Sequence, residues 1–342
     1  MSSADLASRL AAYAATRMPT AREVEVRDLS RISGGASRQT YRFRLAWTEE
    51  GERRERRMIL RRDPPASLID TERRVEFAAY SAFRGSKVPV PEMIWLEEGS
   101  EALDQPFSVA EEITGFEAAP ALLWTEPYLA SHEALARTKW SILGEIARAD
   151  PFALGLDSVM PPPEPGACAF RELDMWEKVL DEDQAEPLPI TRAAIRWLRA
   201  NPPPAAQKIG VVHGDFRTGN FLYDRQGGIH GVLDWEMAHL GDPLEDLGWS
   251  LNPVWNFKRN LAGGLVPDAV AIAHWEAASG LKADPDALHW WTLFNCVKGQ
   301  AIWISSARAW IDGGNREPIM VLPAWGMQNA QDRAILKVMD RL

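Results

Sequence analysis

The chain has 342 residues, of which 46% are hydrophobic and 25% are charged. This composition is typical of a globular protein long enough for two lobes, and it argues against a largely disordered chain. The net charge is −10, and residues 116–342 contribute −9 of it, with 20 basic and 29 acidic side chains. The acidity of this region argues against a nucleic-acid partner, because phosphate binding requires the opposite field.

The sequence also argues against a secreted, zinc-binding or membrane protein. Two cysteines cannot form a disulfide framework, and no Cys/His cluster has zinc-ligand spacing. The N-terminus lacks the pattern of a signal peptide, and no apolar run reaches the roughly 18 residues of a membrane span. We therefore expect a cytoplasmic protein with no membrane segment, while the sequence carries no signal for its oligomeric state.

The first hundred residues predict a sheet. A short amphipathic helix comes first, and residues 41–47 then alternate between apolar and polar side chains, with the period of a strand. A charged turn through Gly51 leads to a second run, Met58–Arg61, so the two runs predict a β-hairpin. The small residues Ser33–Ser37 precede the hairpin and predict a flexible loop between two strands.

The next segments complete a first lobe. Residues 70–84 have helical periodicity, and this helix must end before the prolines of Val88–Pro91. The apolar run Phe107–Ala110 predicts a third strand. A change of composition follows, so we expect an N-terminal lobe over residues 1–112, a linker over 113–118 and a C-terminal lobe over 119–342.

The C-terminal lobe is predicted to be mostly helical, with helices over 131–149 and 190–200 and proline-rich loops between helices. Residues 209–234 are the exception, because their pattern is that of strands. Phe221–Asp224 and Ile229–Leu233 flank a Gly-Gly turn and should pair as an antiparallel hairpin.

The open end of this hairpin carries the candidate chemistry. Counting outward from the turn places Asn220 and Asp234 nearly opposite each other, and one neutral and one anionic oxygen donor suit Mg²⁺. Asp215 begins the loop that ends at Asn220, so its carboxylate can approach the same point and accept a proton from a hydroxyl group.

The order Asp215, Asn220, Asp234 has the spacing of the catalytic loop and metal-binding Asp of eukaryotic-type kinases. With His213 and Gly214 before Asp215, and Trp235 after Asp234, it resembles the aminoglycoside phosphotransferase/choline kinase superfamily. Within it, the sequence resembles most the kinase-like domain found in bacterial stand-alone proteins and fused to some acyl-CoA dehydrogenases. The supporting segments are Ser33–Gly35, Leu60–Pro65, Val88–Pro91 and Gly241–Leu247.

The resemblance implies an α+β fold of the protein-kinase-like bilobal type, with a small β-sheet lobe and a larger helical lobe. It implies ATP and Mg²⁺ as cofactors, and transfer of the γ-phosphoryl group to a hydroxyl of a small-molecule acceptor. Asp215 would orient and deprotonate the hydroxyl, while Asn220 and Asp234 would hold Mg²⁺. Arg217 would either compensate phosphate charge or pair with an acidic neighbour, and Asp246 would brace the loop.

The resemblance also assigns nucleotide-binding residues in the first lobe. Arg61 occupies the place of the phosphate-binding lysine, with Glu76 as its ion-pair partner and Arg62 as the alternative if the strand register differs by one. An arginine retains its charge and can bind phosphate in bidentate fashion. The non-functional alternative is that Arg61 and Glu76 are solvated surface charges. The loop over the phosphates would comprise Ser33, Gly34, Gly35 and Ser37.

The inter-lobe connection contains Glu111 and Glu112. In the resembling enzymes, backbone groups at this connection bind the adenine ring, so Glu111 is assigned to the nucleotide site and the two side chains are incidental.

Two other functions stay open. A pseudokinase would keep the fold and bind nucleotide without transferring phosphate. A metal-dependent hydrolase could use five potential ligands that lie close together in sequence, although no pair of histidines has the spacing that places two imidazoles on one metal. These ligands are His213, Asp215, Asp234, His239 and Asp242.

The acceptor could be aminoglycoside-like, an amino alcohol or a hydroxyacyl-CoA. Residues 249–325 contain eight tryptophans, most of which we expect in the core. A cationic acceptor would require acidic or aromatic groups, whereas an acyl-CoA would require basic residues and an apolar slot. The basic candidates are Lys258, Arg259, Lys298, Arg308 and Arg316.

Overall fold

A five-stranded antiparallel sheet forms the first part of the fold. The computed structural model describes residues 2–32, 38–63, 73–257, 259–313 and 318–340. The order of strands across the sheet is β1-β2-β3-β5-β4. The elements are α1 (Ser3–Arg17), β1 (Arg22–Ile32), β2 (Gln39–Glu49), β3 (Glu52–Arg62), α2 (Arg73–Phe83), β4 (Met93–Glu97) and β5 (Phe107–Glu111).

The predicted hairpin is the centre of this sheet. β2 and β3 pair in an uninterrupted register from Gln39 opposite Arg62 to Glu49 opposite Glu52. The strand β4, for which the sequence analysis made no prediction, lies at the edge beyond β5. Helix α1 buries Leu6 and Leu10 against the sheet, and the Tyr13 ring lies edge-on to Phe107 at 4.9 Å between centroids. The helix therefore covers one face of the sheet.

The second part is mostly helical and contains two small sheets. One sheet pairs β6 with β9, and the other is the hairpin of β7 and β8. The elements are α3 (His132–Arg148), α4 (Cys168–Asp183), α5 (Pro189–Ala200), β6 (Gly210–Val212), β7 (Phe221–Tyr223), β8 (Ile229–Val232), β9 (His239–Gly241), α6 (Leu244–Leu251), α7 (Asp268–Ser279), α8 (Pro285–Ile311) and α9 (Pro318–Val338).

The core of this second part is rich in tryptophan. Trp140 and Trp235 are fully buried. Five of the eight tryptophans of residues 249–325 are buried as well, as the sequence analysis expected for most of them: Trp249, Trp255, Trp275, Trp290 and Trp291. The rings of Trp140, Trp235, Trp275, Trp290 and Trp291 belong to one buried core that joins the helices of the second part.

The segment after β5 is tied to the β7–β8 hairpin. Glu117 and Tyr223 exchange two backbone hydrogen bonds, of 3.0 and 2.8 Å. The sheet and the helical part follow each other in the order that the sequence predicted, and the α+β class is confirmed. The exact lobe boundary at residues 112–118 stays a prediction.

Candidate active site

The β7–β8 hairpin brings two predicted metal ligands together. Phe221 pairs with Val232, and one step further the Leu233 N–H donates to the Asn220 carbonyl at 2.7 Å. Asp234 is the next residue, so Asn220 and Asp234 lie at the open end of the hairpin, one position out of direct opposition. The loop from β6 to β7 carries Asp215 to the same end.

Three side chains hold the Asp215 carboxylate. Arg217 Nε lies 3.0 Å from Oδ1 and 3.2 Å from Oδ2, and the Trp249 indole N–H donates to Oδ1 at 2.9 Å. The Asn220 amide nitrogen donates to Oδ2 at 2.6 Å. Two of these donors are neutral and one is cationic, so they fix the direction of the carboxylate and partly balance its charge.

Asn220 is itself oriented by the loop that it ends. Its amide nitrogen also donates to the backbone carbonyl of Asp215 at 2.9 Å. This orientation leaves the amide oxygen for another partner, and within the described residues no hydrogen bond involves that oxygen. A free neutral oxygen beside a carboxylate is the type of donor set that Mg²⁺ takes.

Asp234 stands where the hairpin ends in a sharp bend. Its backbone is left-handed, with φ +68° and ψ +55°, a region that Asp tolerates better than most residues. The Asp234 N–H donates to the Tyr80 hydroxyl at 2.7 Å, and the carboxylate Oδ1 lies 2.6 Å from Arg61 Nη2. Asp234 is thus anchored to α2 through its backbone and to β3 through its side chain.

Arg61 links the sheet to Asp234 at the end of the β7–β8 hairpin. Its Nη1 lies 2.9 Å from Glu76 Oε1 on α2, while its Nη2 makes the contact with Asp234. Successive residues of a strand point to opposite faces, so this register selects Arg61 over the neighbouring Arg62. Glu76 is only 2% exposed and also lies 3.3 Å from Arg38 Nε. The structure therefore buries the pair, and the alternative of solvated surface charges is wrong.

Charge balance at this point keeps Asp234 ionised. Burial raises the pKa of the Asp234 carboxyl, but the nearby Arg61 and, further off, Arg217 outweigh it and hold that pKa below its ordinary value. The pKa of Arg61 is well above its ordinary value, because Glu76 and Asp234 outweigh the effect of burial. The site thus presents a permanent cation next to a permanent anion.

His213 and Gly214, which precede Asp215, are held by hydrogen bonds on both their backbone and the His213 ring. The Asp246 carboxylate accepts the His213 N–H at 2.6 Å and the Gly214 N–H at 2.9 Å, so Asp246 braces the loop as the sequence analysis expected. The His213 ring accepts the Asp215 N–H at Nδ1 and faces the Leu233 carbonyl with Nε2. Burial lowers the pKa of His213, and the neutral ring with its proton on Nε2 satisfies both contacts.

Other predicted site residues lie elsewhere or outside the described residues. The phosphate loop Ser33–Ser37, with Ser33, Gly34, Gly35 and Ser37, is outside them. Glu111 ends β5, where its N–H donates to the Glu92 carbonyl and its side chain accepts the Glu92 N–H. An adenine-binding role for backbone groups near Glu111 stays a prediction.

The five ligands of the rival hydrolase hypothesis do not form one group. His239 bonds to Glu245, and Asp242 accepts the Trp291 indole N–H, whereas Asp215 and Asp234 bond to Arg217 and Arg61. His213 is saturated by the contacts described above. The arrangement therefore gives this hypothesis no common metal site.

Sequence reasoning missed three contributors. Tyr80 reads as an ordinary apolar position of α2, and Trp249 as one more core tryptophan. Lys298 was a candidate for binding a ligand phosphate, but it is 1% exposed and its ammonium donates to the Gly214 carbonyl at 2.7 Å. Each contact joins residues far apart in sequence, so no local pattern signals it.

The fold is that of kinase-like phosphotransferases. Residues 28–291 match the profile of the phosphotransferase enzyme family. The chain belongs to this family.

Individual relatives agree with this assignment. The mouse (Mus musculus) acyl-CoA dehydrogenase family member 10 is 30% identical over 227 residues, which are 65% of this chain and 20% of that protein. The chain therefore spans only about a fifth of the length of this relative.

Two solved structures share the fold over almost the whole chain. One is a putative aminoglycoside phosphotransferase from Ralstonia eutropha, at a TM-score of 0.72 and 19% identity, covering 97% of this chain and 98% of that one. The other is a thermostable mutant of an aminoglycoside phosphotransferase in ternary complex with AMP-PNP and hygromycin B. Its TM-score is 0.57 at 18% identity, covering 96% of this chain and 99% of that one.

Among the described residues, no helix combines the length and the apolar character needed to cross a bilayer.

Proposed function

We propose that the protein transfers the γ-phosphoryl group of ATP to a hydroxyl group of a small molecule. The observation that carries this proposal is the convergence of Asp215, Asn220 and Asp234 at one end of the hairpin, with Arg61 reaching them from the sheet. Phosphoryl transfer requires a proton acceptor, oxygen ligands for a metal ion and a cation near the phosphates. This group of side chains supplies all three.

Asp215 is the proton acceptor in this reaction. The acceptor hydroxyl oxygen forms a bond to the γ-phosphorus, the bond from that phosphorus to the β,γ-bridging oxygen breaks, and the hydroxyl proton passes to the Asp215 carboxylate. Trp249 donates to one oxygen of that carboxylate and Asn220 donates to the other, so the carboxylate keeps one orientation. Because positioning accounts for much of such catalysis, these neutral donors serve the reaction without removing the negative charge.

Asn220 and Asp234 would hold Mg²⁺ through the amide oxygen and the carboxylate. The ion, when bound, neutralises charge on the phosphates. Among the described residues, Arg61 is the one cation that contacts Asp234, at 2.6 Å, and the Asp234 side chain is 33% exposed, so solvent can reach it. Arg61 can then exchange part of its contact with Asp234 for phosphate oxygens while Glu76 keeps it in place.

Two arginines stacked on tryptophan rings, one of them in the loop between Asp215 and Asn220, favour an anionic acceptor. The Arg217 guanidinium lies over the Trp255 ring at 5.2 Å from its centroid, and the Arg259 guanidinium lies over Trp124 at 4.1 Å. An arginine stacked on an aromatic ring can still donate in its own plane to a carboxylate or phosphate. Because the Nε of Arg217 already faces Asp215, its terminal nitrogens would serve this role. Of the three acceptor classes, a hydroxyacyl-CoA fits such a lining better than an aminoglycoside or an amino alcohol, both of which are cationic.

The test measures ADP formation from Mg·ATP with a panel of hydroxyacyl-CoAs, aminoglycosides, amino alcohols and sugars. We expect turnover with one class and a loss of at least about 1000-fold in kcat for Asp215→Asn, with the affinity for Mg·ATP retained. Asp157→Asn, the same change at an exposed position, is the matched control.

Three results would contradict the proposal. Full turnover by Asp215→Asn removes the assigned base, and nucleotide binding without any transfer across the panel indicates a pseudokinase. Hydrolysis of a substrate in the absence of nucleotide, with tightly bound metal, indicates the hydrolase alternative.

A further inference from the structure

Lys298 is a buried cation that contacts the residue before Asp215. It lies in the middle of α8, is 1% exposed, and donates from Nζ to the Gly214 carbonyl at 2.7 Å and to Glu245 Oε1 at 3.0 Å. Gly214 directly precedes Asp215. Lys298 therefore holds the peptide between Gly214 and Asp215 through the Gly214 carbonyl oxygen. Asp246 holds the preceding peptide through the Gly214 N–H.

The backbone at Gly214 is packed closely against Met237. Its φ is +85°, and a side-chain carbon added there would lie 2.4 Å from the Met237 carbonyl oxygen. A small rotation of the Gly214–Asp215 peptide would therefore move the Asp215 side chain instead of being absorbed by the loop.

A second route connects Lys298 to Asp215. The ammonium lies 5.3 Å from the centroid of the Trp249 ring and 5.7 Å from that of Trp176. Trp249 is the residue whose indole N–H donates to Asp215 Oδ1. The same ammonium thus packs against the ring that orients the carboxylate and bonds to the peptide that carries it.

The charges around Lys298 balance. Glu245 lies between Lys298 and His239, whose Nε2 is 3.0 Å from Glu245 Oε2 and 3.6 Å from Glu172 Oε1. Burial lowers the pKa of His239, but Glu172 and Glu245 outweigh it and raise that pKa to about 9. Two carboxylates, Glu172 and Glu245, face two cations, Lys298 and His239, so the buried charges of this cluster are paired.

We propose that Lys298 is a positioning residue for Asp215. It sets the carbonyl of Gly214 and the ring of Trp249, and Glu245 holds it in place. This inference rests on the proposed function, because it assigns the purpose of Lys298 to the orientation of the proposed base.

The test compares Lys298→Met with Lys139→Met, the same substitution at a buried lysine that makes no hydrogen bond to a described residue. Steady-state kinetics and Mg·ATP titration are measured for both variants. We expect Lys298→Met to lower kcat about 10- to 100-fold, the range for small misplacements of a reacting group, with Kd for Mg·ATP within about 2-fold. Lys139→Met should change neither quantity by more than about 2-fold.

A second readout does not need activity. The Trp249 indole N–H resonance in a ¹H–¹⁵N spectrum, assigned through Trp249→Phe, should shift in Lys298→Met and in Asp215→Asn and should stay in place in Lys139→Met. If the wild-type protein transfers no phosphate, the proposed function has failed, and this resonance alone decides whether Lys298 positions Asp215.

The proposal is overturned if kcat and the resonance are unchanged in Lys298→Met. It is also overturned if kcat and Mg·ATP affinity fall together, because that pattern indicates general disruption. Should Lys298→Met fail to fold, the double variant Lys298→Met, Glu245→Gln replaces it, because it removes one positive and one negative charge together. Its kcat, its Mg·ATP affinity and its Trp249 resonance are judged by the same two criteria.

Discussion

The two ends of the loop from Gly214 to Asn220 are built differently, although a buried lysine lies near each end. At the Gly214 end, the backbone N–H and carbonyl bond to Asp246 and Lys298, and Lys298 has Glu245 as its counter-ion. At the Thr218 end, neither the Thr218 hydroxyl nor the Lys139 ammonium has a hydrogen-bond partner among the described residues. Both lie within 4 Å of the point where a side-chain carbon of Gly263 would stand.

The contrast indicates where the loop must be held. Asp215 follows Gly214, so an error there moves the proposed base, whereas Thr218 lies between Arg217 and Asn220 with its hydroxyl buried behind the loop. A fully bonded polar group adds rigidity, while an unpartnered one costs free energy without adding any. We therefore expect substitutions at the Gly214 end to lower both stability and activity, and substitutions at the Thr218 end to leave activity intact.

Asp246→Ala should have the largest effect. It removes two hydrogen bonds to a carboxylate and leaves the His213 and Gly214 N–H groups buried without partners. At about 1.5–3 kcal/mol for each bond to a charged group, we expect the free energy of unfolding to fall by about 3–6 kcal/mol. Chemical denaturation measures it, with Asp157→Ala as the exposed control, and a loss below about 1 kcal/mol would show that the loop does not depend on Asp246.

Lys139→Met should act in the opposite direction. Burial lowers the pKa of Lys139 from its ordinary value of 10.5 to about 7. Between these pH values the unfolded chain binds a proton that the folded chain does not, so the free energy of unfolding should rise with pH through this range. Replacing a buried ion by a packed apolar side chain often stabilises a protein by about 1–4 kcal/mol, and we expect a gain of this size at pH 7.

Unfolding curves at pH 7, 8 and 9 test this expectation. The rise between pH 7 and 9 should be smaller in Lys139→Met than in wild type, whereas the exposed variant Lys178→Met should keep the wild-type rise. An unchanged slope in Lys139→Met would mean that the ammonium has a partner and is not the source of the pH dependence.

The sequence predicted those parts of the fold and site that are encoded locally. Alternation over residues 41–47 and the Gly-Gly turn at 227–228 predicted two hairpins, and the structure contains both of them. The spacing of Asp215, Asn220 and Asp234 follows from the second hairpin. The edge strand β4 was not predicted, because its five residues are all half-buried and show no clear alternation of apolar and polar side chains.

Contacts between distant elements could not be predicted in the same way. Lys298 lies on a helix that is apolar on nearly all sides, and in sequence it looks like any surface lysine. Lys298 is buried because α6 and the loop at Gly214 pack against it. The sequence pattern within α8 contains no signal of this packing. The same holds for Trp249, whose indole N–H meets a carboxylate 34 residues earlier in the chain.

Thr218→Val is the smallest expected change and the most direct test of the Thr218 end. The substitution keeps the shape of the side chain and removes a buried hydroxyl that has no described partner, so the free energy of unfolding should stay equal or rise by up to about 1 kcal/mol. Thr191→Val, which removes another such hydroxyl far from the loop on α5, is the matched control. Because Thr218 borders Arg217 and Asn220, a loss of kcat without a loss of stability would show that this end also positions the site, and the two ends of the loop would then be equivalent. Unchanged kcat and equal stability in both variants would confine the positioning to the Gly214 end.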